Sequence, residues 1–574
     1  MRYSRLVTNT TRECPRSVRS VGNALLQRAG YIRPLSQGLY SFLPLGARVL
    51  ERLERLIRRE MLKLEGQEVL LPLVNPLELW KRSGRADLIG REMIRFRDAS
   101  GKQMVLAPTH EEAMVELVKS VVTSYRQLPV FLFQFQTKYR NESRPRAGLI
   151  RTREFVMKDG YSFHRSQTEL NIFFPRVFAA YRRVFEACRV PVITAEAAVG
   201  MMLGDRSFEF LMPSAVGDDR VIRCSSCGYA ANQEVAVGTM DRVAESPREF
   251  ATVETGDAAT MAAVARALDC GRDRLAKTMV YSTGDSIVLA VVRGDQEVSV
   301  ERLARSLTCS DLRLADPDEL TFLGLDPASI GPIDVPLDVL EIDVNVRVIV
   351  DEVVANTPNL VVASNETGRH FVNVNFGRDF ESELVRDISR VIPGARCRHC
   401  GGELLEENVV ELGNIFKLGD YYSRKLRLSL TDSRGHRFYP SVGAYGIGLG
   451  RLMAAVAEAN NDRRGLDWPR ELAPYTFFLM GIGRSAKVAA VVEQLHDDLG
   501  DEVLHDDRRE SISTKFKDAD LMGIPYRIIV SRRTLEAGQV ELLERGSTTV
   551  RRIELPHVRD VAAELGRTLA GGGV

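Results

Sequence analysis

The sequence lacks most of the marks of a specialised chain, and each absence removes a class of answer. No apolar run approaches the ~18–20 residues needed to cross a bilayer, so an integral membrane protein is excluded. Its 8 cysteines are too few for a disulfide framework over 574 residues. Four of them form two Cys-x-x-Cys pairs, Cys224/Cys227 and Cys397/Cys400, which suits a reduced cytoplasmic protein with a metal site rather than a secreted scaffold. Charge of one sign is not in excess. With 78 Lys+Arg against 77 Asp+Glu the formal charge is +1, so a bound nucleic acid would rely on local basic patches. The first twenty residues carry Arg2, Arg5, Arg12, Arg16 and Arg19 against one acid, Glu13, but no hydrophobic signal core, which argues against secretion. There is no internal repeat and no G-x-x-x-x-G-K-[ST] loop. Gly443–Arg451 is glycine-rich, yet Arg451 stands where the dinucleotide fingerprint needs its last glycine.

What is present reads as globular. Hydrophobic residues are 44% and charged residues 27%, and the length suggests three or four domains of roughly 150 residues. Val49, Leu50, Leu53, Leu56, Ile57, Met61 and Leu64 recur at helical spacing, predicting a helix over 46–65 with Gly66 as its cap. A short strand, Glu68–Leu71, follows and closes at Pro72. Phe131, Phe133 and Phe135 alternate as in a half-buried strand. A basic, Pro- and Gly-containing loop and a second alternating run come next, so residues 130–164 read as an antiparallel hairpin. From about Glu234 to about Val385 the chain turns acidic and rich in Ala and Val, with its own strands and helices, and the two cysteine pairs flank it. That is the pattern of a domain inserted into a loop of another. After Pro474 strands and helices alternate as in a small α/β domain.

The hairpin carries the most specific chemistry. Strand alternation lets Arg140 and Glu142 share a face, sets Arg151 across the loop, and puts Phe155, Met157 and Asp159 on one face of the second strand. An aromatic face, two arginines and an acid suit a nucleotide: the ring on Phe155, a phosphate in the fork of Arg140, and Glu142 ordering a metal or an amine. The turn at Gly443–Arg451 delivers Arg451 to a helix N-terminus, where dipole and guanidinium both favour an anion.

These segments resemble a known family. "YRNESRPRAGLIRTREFVMKDGYSFH" is similar to motif 2 of the class II aminoacyl-tRNA synthetases, "GAYGIGLGRLMAAVAE" to motif 3, and the helix, strand and Pro72 to the dimer-forming motif 1. "PTHEE" at Pro108–Glu112, "RPRAGLIRTREF" and "DGYSFH" narrow the resemblance to prolyl-tRNA synthetases of the bacterial type, over nearly the whole chain. "MRYSRL" resembles that family's own N-terminus, which argues against a transit peptide.

The resemblance implies an α+β catalytic domain built on a six-stranded antiparallel sheet (1–233 and 389–472), an inserted α+β editing domain (234–388) and a C-terminal α/β anticodon-binding domain (473–574). It implies ATP, L-proline and tRNA(Pro) as substrates, Mg²⁺, a cytoplasmic homodimer and no membrane. Arg140, Arg151 and Arg451 would hold ATP, Phe155 would stack on adenine, and Glu142 would help hold the amino acid and ATP. Thr109 and Glu111 would read the proline nitrogen, His164 would line the ring pocket, and Ser441 and Gly443 would join the substrate site. Arg508, Lys515 and Lys517 would lie near the tRNA. Lys277, Asp351 and His370 match editing positions. The chain departs nearby, with Gln296, Ser299 and Arg302 in "RGDQEVSVER" where relatives often read "RGDHELNEVK", which puts the efficiency of editing in question. The cysteine pairs have the local form of zinc knuckles; reduced thiols in facing loops are the alternative. The rivals to this reading are a class II synthetase of threonine or histidine specificity and a synthetase-like binding protein that has lost activation.

Overall fold

The computed structural model describes every residue except 14–18, 241–244, 284–285, 310–311, 323–324, 327–328, 336–344, 383 and 568–574. The chain forms two compact units. The first comprises Met1–Ile193, Val199–Asp218 and Val409–Val574, and the second Thr194–Ala198 and Asp219–Asn408.

The first unit is organised on a sheet whose six strands are β1 (Gln67–Glu68), β2 (Val130–Tyr139), β3 (Glu154–His164), β4 (Arg206–Pro213), β5 (Leu404–Gly419, within this unit from Val409 on) and β6 (Ser441–Gly448). Their order is β4-β5-β6-β3-β2-β1. Every pair is antiparallel except the short β1, which runs parallel to β2. The hairpin β2–β3 keeps one register from Val130↔Phe163 to Tyr139↔Glu154, so the side-chain alternation is unbroken along it.

Four helices matter to the site: α1 (Pro44–Leu62), α2 (Glu111–Val121), α3 (Gln167–Ala187) and α4 (Leu449–Ala459). Apolar residues of α1, α3 and α4 (Leu53, Ile57, Phe173, Tyr181, Leu452 and Val456 among them) bury together with Phe131, Phe133, Tyr445 and Ile447 from one face of the sheet. Met114, Val115 and Val118 of α2 bury with Leu132, Tyr161, Phe163, Phe416 and Ala444 from the other. Each fully buried Leu, Ile or Phe side chain contributes about 1.5–3 kcal/mol, so both faces of the hairpin are strongly held.

The predicted helix over 46–65 is observed at Pro44–Leu62, with Pro44 at the first helical position, where its missing N–H costs nothing. Its C-terminal turn is closed by Glu65 at φ 60°, not by Gly66. Gly66 serves a close approach instead: a Cβ there would lie 2.9 Å from Met61 O and from the Phe131 ring. The predicted strand Glu68–Leu71 shrinks to Gln67–Glu68, because the Leu71 N–H donates to the Gln134 side chain at 2.9 Å instead of continuing the ladder.

The C-terminal part of this unit carries a five-stranded sheet ordered Val503–His505, Phe477–Ile482, Tyr526–Ser531, Gln539–Glu544, Val550–Glu554. Its first two pairings are parallel and its last two antiparallel. Helices Ala486–Leu499 and Val558–Arg567 supply Val488, Val492 and Val558 to its core.

The second unit is α+β. A five-stranded sheet is ordered Arg313–Leu314, Ala276–Ser282, Ser286–Arg293, Asn345–Asp351, Leu384–Arg386, and a three-stranded one Ala251–Glu254, Arg369–Val374, Leu360–Ala363. Its two cysteine loops share a small core of Ile222, Ala231, Ala236, Val391, Ala395 and Leu404.

Candidate active site

The face of the sheet that carries α2 holds a cavity. Strand parity decides what lines it. On β3 the odd residues Phe155, Met157, Asp159 and Tyr161 face inward, and on β6 the even residues Ala444, Gly446 and Gly448 form the floor. Gly446 keeps that floor low, since a Cβ there would sit 3.1 Å from Asn414 Oδ1.

One end of the cavity is acidic. Thr109 and Glu111 sit where the chain enters α2, and the Thr109 hydroxyl donates to Glu111 at 2.7 Å. Arg85 Nη1 donates to Glu111 Oε2 at 3.0 Å. Asp159 pairs with the buried Lys138 at 2.6 Å and accepts from Gln134 at 2.8 Å and from Tyr161 Oη at 3.0 Å. Burial, with Lys138 nearby, pulls the His110 imidazole down to about 4, so it is neutral at pH 7.

The other end is basic. The Arg140 guanidinium lies 5.3 Å from the Phe155 ring centroid, and its Nε donates to Pro108 O at 3.3 Å. Arg451, in the first turn of α4, donates to Ile150 O at 2.9 Å and pairs with Glu411 at 3.1 Å. Two guanidiniums line this end, with Glu411 beside both and Glu92 also near Arg140.

The structure thus gathers Thr109, Glu111, Arg140, Phe155 and Arg451 around one cavity. It does not bring the other predicted residues there. His164 lies on the even side of β3, facing α3, where it is buried with Nε2 2.9 Å from Ser162 Oγ and its ring 5.2 Å from that of Phe173. Burial pulls it down to about 4. Ser441 and Gly443 are odd residues of β6 and face the same way. A Cβ on Gly443 would meet Tyr445 Oη at 2.0 Å and Leu170 at 2.9 Å. The two-residue period, which the segment resemblance does not resolve, puts all three on the wrong face for lining this cavity. Glu142 and Arg151 lie in the motif 2 loop and pair with each other at 2.8 Å without lining it. Sequence reasoning missed Tyr161, Glu411, Asn414 and Arg85. The alternation that placed Met157 and Asp159 already points to Tyr161; the other three stand in runs with no motif.

In the C-terminal part, Arg508 pairs with Asp506 and Asp518, both at 2.8 Å, and lies over the Tyr3 ring at 3.6 Å. Lys515 is buried and donates to Asp506 O at 2.8 Å, so it is not offered to a partner. Lys517 is exposed.

In the second unit, Lys277 pairs with Glu297 at 2.6 Å. Asp351 is buried and accepts from the N–H groups of Val353, Ile388 and Ser389, all at 2.9 Å. His370 Nδ1 lies 2.8 Å from Thr255 Oγ1. The first two are on the five-stranded sheet, with the strand Ser286–Arg293 between theirs, and His370 is on the three-stranded sheet. The three do not line the cavity of this unit to which Gln296 and Asp387 contribute. Ser299 caps the helix Val300–Leu307, and Arg302 pairs with Asp387.

The four cysteines of the two pairs converge, with all Sγ atoms within 4.8 Å of one another. Cys224 and Cys400 are 3.4 Å apart and Cys227 and Cys397 3.7 Å, too long for disulfides and close to the ~3.8 Å edge of a tetrahedron with ~2.3 Å Zn–S bonds. The Ser226 N–H donates to Cys224 Sγ at 3.3 Å, and such donors pull that thiol down to about 6. The donor set fits zinc.

The sheet, the cavity and the C-terminal domain define a class II tRNA synthetase with an appended anticodon-binding domain. The class II core model for the G, H, P, S and T synthetases matches residues 94–460, and the anticodon-binding domain model matches 478–565. The proline–tRNA ligase of Moorella thermoacetica is 40% identical over 549 residues, 94% of each chain, and that of Salinispora tropica is 38% identical over 99% of this chain and 96% of its own. The chain belongs to the proline–tRNA ligase family. A crystal structure of prolyl-tRNA synthetase from Cryptosporidium parvum with L-proline and AMP shares the fold, with a TM-score of 0.54 at 12% identity, covering 96% of this chain and 76% of that one. Among the described residues no helix is long and apolar enough to cross a membrane.

Proposed function

We propose that this chain condenses L-proline with ATP to prolyl-adenylate and pyrophosphate and then transfers the prolyl group to the 3′ end of tRNA(Pro). The observation that carries this is the polarity of one cavity, with Glu111 and Thr109 at one end and Arg140 and Arg451 at the other. The secondary ammonium of proline needs a carboxylate, and Glu111 supplies it, oriented by Thr109. Phe155 takes the adenine ring. The proline carboxylate attacks the α-phosphorus, the bond to the bridging oxygen breaks, and pyrophosphate leaves. That step needs alignment and charge stabilisation rather than a protein base, and two guanidiniums beside an aromatic wall provide both. Glu411, held by Arg451 and by Asn414 at 2.8 Å, is the hard oxygen donor this end offers to Mg²⁺, which would neutralise phosphate charge. A ribose hydroxyl of the tRNA terminus then attacks the prolyl carbonyl and AMP departs. Glu142 and Arg151, paired in the motif 2 loop, would meet ATP only if that loop closes.

Residues 473–574 would read the anticodon, with Lys517 the exposed cation among the three expected there. The cysteine cluster would hold a structural zinc. The chain would work as a cytoplasmic homodimer through its motif 1 region. We assign residues 234–388, between the catalytic segments 1–233 and 389–472, to hydrolysis of alanyl-tRNA(Pro). Two arguments support that assignment: the resemblance at Lys277, Asp351 and His370, and the physics of the first site. A proline pocket excludes the smaller alanine by only ~1–3 kcal/mol per missing methylene, so a second sieve is useful. Charging of tRNA(Pro) with labelled proline tests the main reading; failure to charge in the presence of ATP and Mg²⁺ would overturn it.

A further inference from the structure

Behind the acidic end of the cavity lies a carboxylate that the reaction does not touch. Glu112 is fully buried in the first turn of α2, next to Glu111, which is 2% exposed. A single guanidinium nitrogen, Arg85 Nη1, serves both: it is 3.0 Å from Glu111 Oε2 and 3.1 Å from each Glu112 oxygen. Arg85 is itself fully buried, over Trp80 and Tyr422. The remaining contact to Glu112 is neutral, a hydrogen bond from Ser83 at 2.7 Å.

The two adjacent carboxylates compete for one cation. Glu111, Glu112 and Asp159 face Arg85 and Lys138, with Arg140 next to Glu111 and the buried Lys158 next to Asp159, while His110, Tyr161 and Tyr422 stay neutral. Glu111 and Glu112 share one guanidinium in a nearly dry place, where an underpaired charge is costly. Burial and the neighbouring Glu111 accordingly push the Glu112 carboxyl up. Glu112 does not line the cavity, so it acts through Arg85: it takes up part of the guanidinium that would otherwise neutralise Glu111.

We infer that Glu112 is a specificity-determining positioning residue, whose carboxylate draws Arg85 away from Glu111 so that Glu111 takes the protonated secondary amine of proline and rejects a neutral ring of the same shape. This rests on the reading of Glu111 as the partner of the proline nitrogen.

The test is ATP–pyrophosphate exchange with wild type, Glu112→Gln, Glu112→Asp and Glu111→Gln, with thermal midpoints for each. Tetrahydrofuran-2-carboxylate, in which oxygen replaces the ring NH₂⁺, serves as a competing neutral isostere. Glu112→Gln should raise KM for proline at least tenfold and leave KM for ATP within twofold. It should narrow the gap between proline and the isostere and leave the thermal midpoint unchanged or higher. Glu112→Asp, which keeps the charge, should recover most of the proline KM. Equal behaviour of the Asp and Gln variants, or a lower midpoint with KM and the isostere ratio unmoved, would make Glu112 merely structural and overturn the inference. If Glu111→Gln raises KM for proline and Glu112→Gln does not, this inference fails alone. If Glu111→Gln leaves it unchanged, the underlying reading of Glu111 fails as well.

Discussion

The two units treat their chemistry-bearing residues differently. In the first, Thr109, Glu111, Arg140, Phe155 and Arg451 come from four separate stretches of chain and meet around one cavity, acidic at one end and basic at the other. In the second, Lys277, Asp351 and His370 stand on two sheets, each held by a partner of its own: Glu297, backbone N–H groups and Thr255. Among the described residues of that unit, its four paired cysteines do converge. The difference teaches that a site carried by a continuous, long-registered hairpin is assembled by the fold itself. Residues matched one at a time have no such guarantee.

Four substitutions would break or sharpen that contrast. The largest effect is expected from Arg140→Ala, which should lower proline-dependent pyrophosphate exchange by about 10²–10³ or more, the cost of losing one preorganised charge donor, while circular dichroism stays native. Near-normal exchange would mean that the basic end of the cavity does not hold the nucleotide. Next comes Cys224→Ser. It should abolish binding of one zinc per chain, measured by metal analysis of the purified protein, and lower the melting point of the second unit, leaving exchange by the first within a few-fold. A wild-type protein free of zinc after preparation in its presence would remove the metal from the account.

His370→Ala should slow hydrolysis of alanyl-tRNA(Pro) severalfold with proline activation unaltered; an unchanged hydrolysis rate would dissociate His370 from editing. The smallest effect is expected at His164. Its folded-state value of about 4 lies below the ~6.5 of an unfolded histidine, so the unfolded chain takes up the proton first. The first unit should therefore keep its full stability above about pH 6.5 and lose it as pH falls toward 4, with His110, also near 4, adding to the slope. His164→Gln should flatten that slope in thermal melts and leave KM for proline within a few-fold. A large rise in KM would restore His164 to the proline pocket.

Much of the first unit was legible in the sequence because periodicity is a local property. The alternation of Phe131, Phe133 and Phe135 places the hairpin, and that of Phe155, Met157 and Asp159 gives the inner face of its second strand. The failures differ in cause. His164, Ser441 and Gly443 sit in the right segments, but parity with Phe155, Met157 and Asp159 already puts His164 on the opposite face, while the face that Ser441 and Gly443 present depends on the register of β6 against β3 and β5, a long-range property. Arg85 and Glu411 were invisible for the same reason: their role comes from neighbours distant in sequence. Lys515 looked like a solvated cation and is instead spent on Asp506. Glu65 took the left-handed turn expected of Gly66, since the glycine was needed for close packing against Phe131.

The measurement that bears most directly on the central claim is ATP–pyrophosphate exchange with proline, alanine, threonine and histidine in parallel, with Mg²⁺ present. The account predicts strong exchange with proline, weak exchange with alanine and none with the other two, because the acidic end of the cavity is shaped for a compact ring bearing a secondary ammonium. Exchange led by threonine or histidine, or none with any of the four, would contradict it.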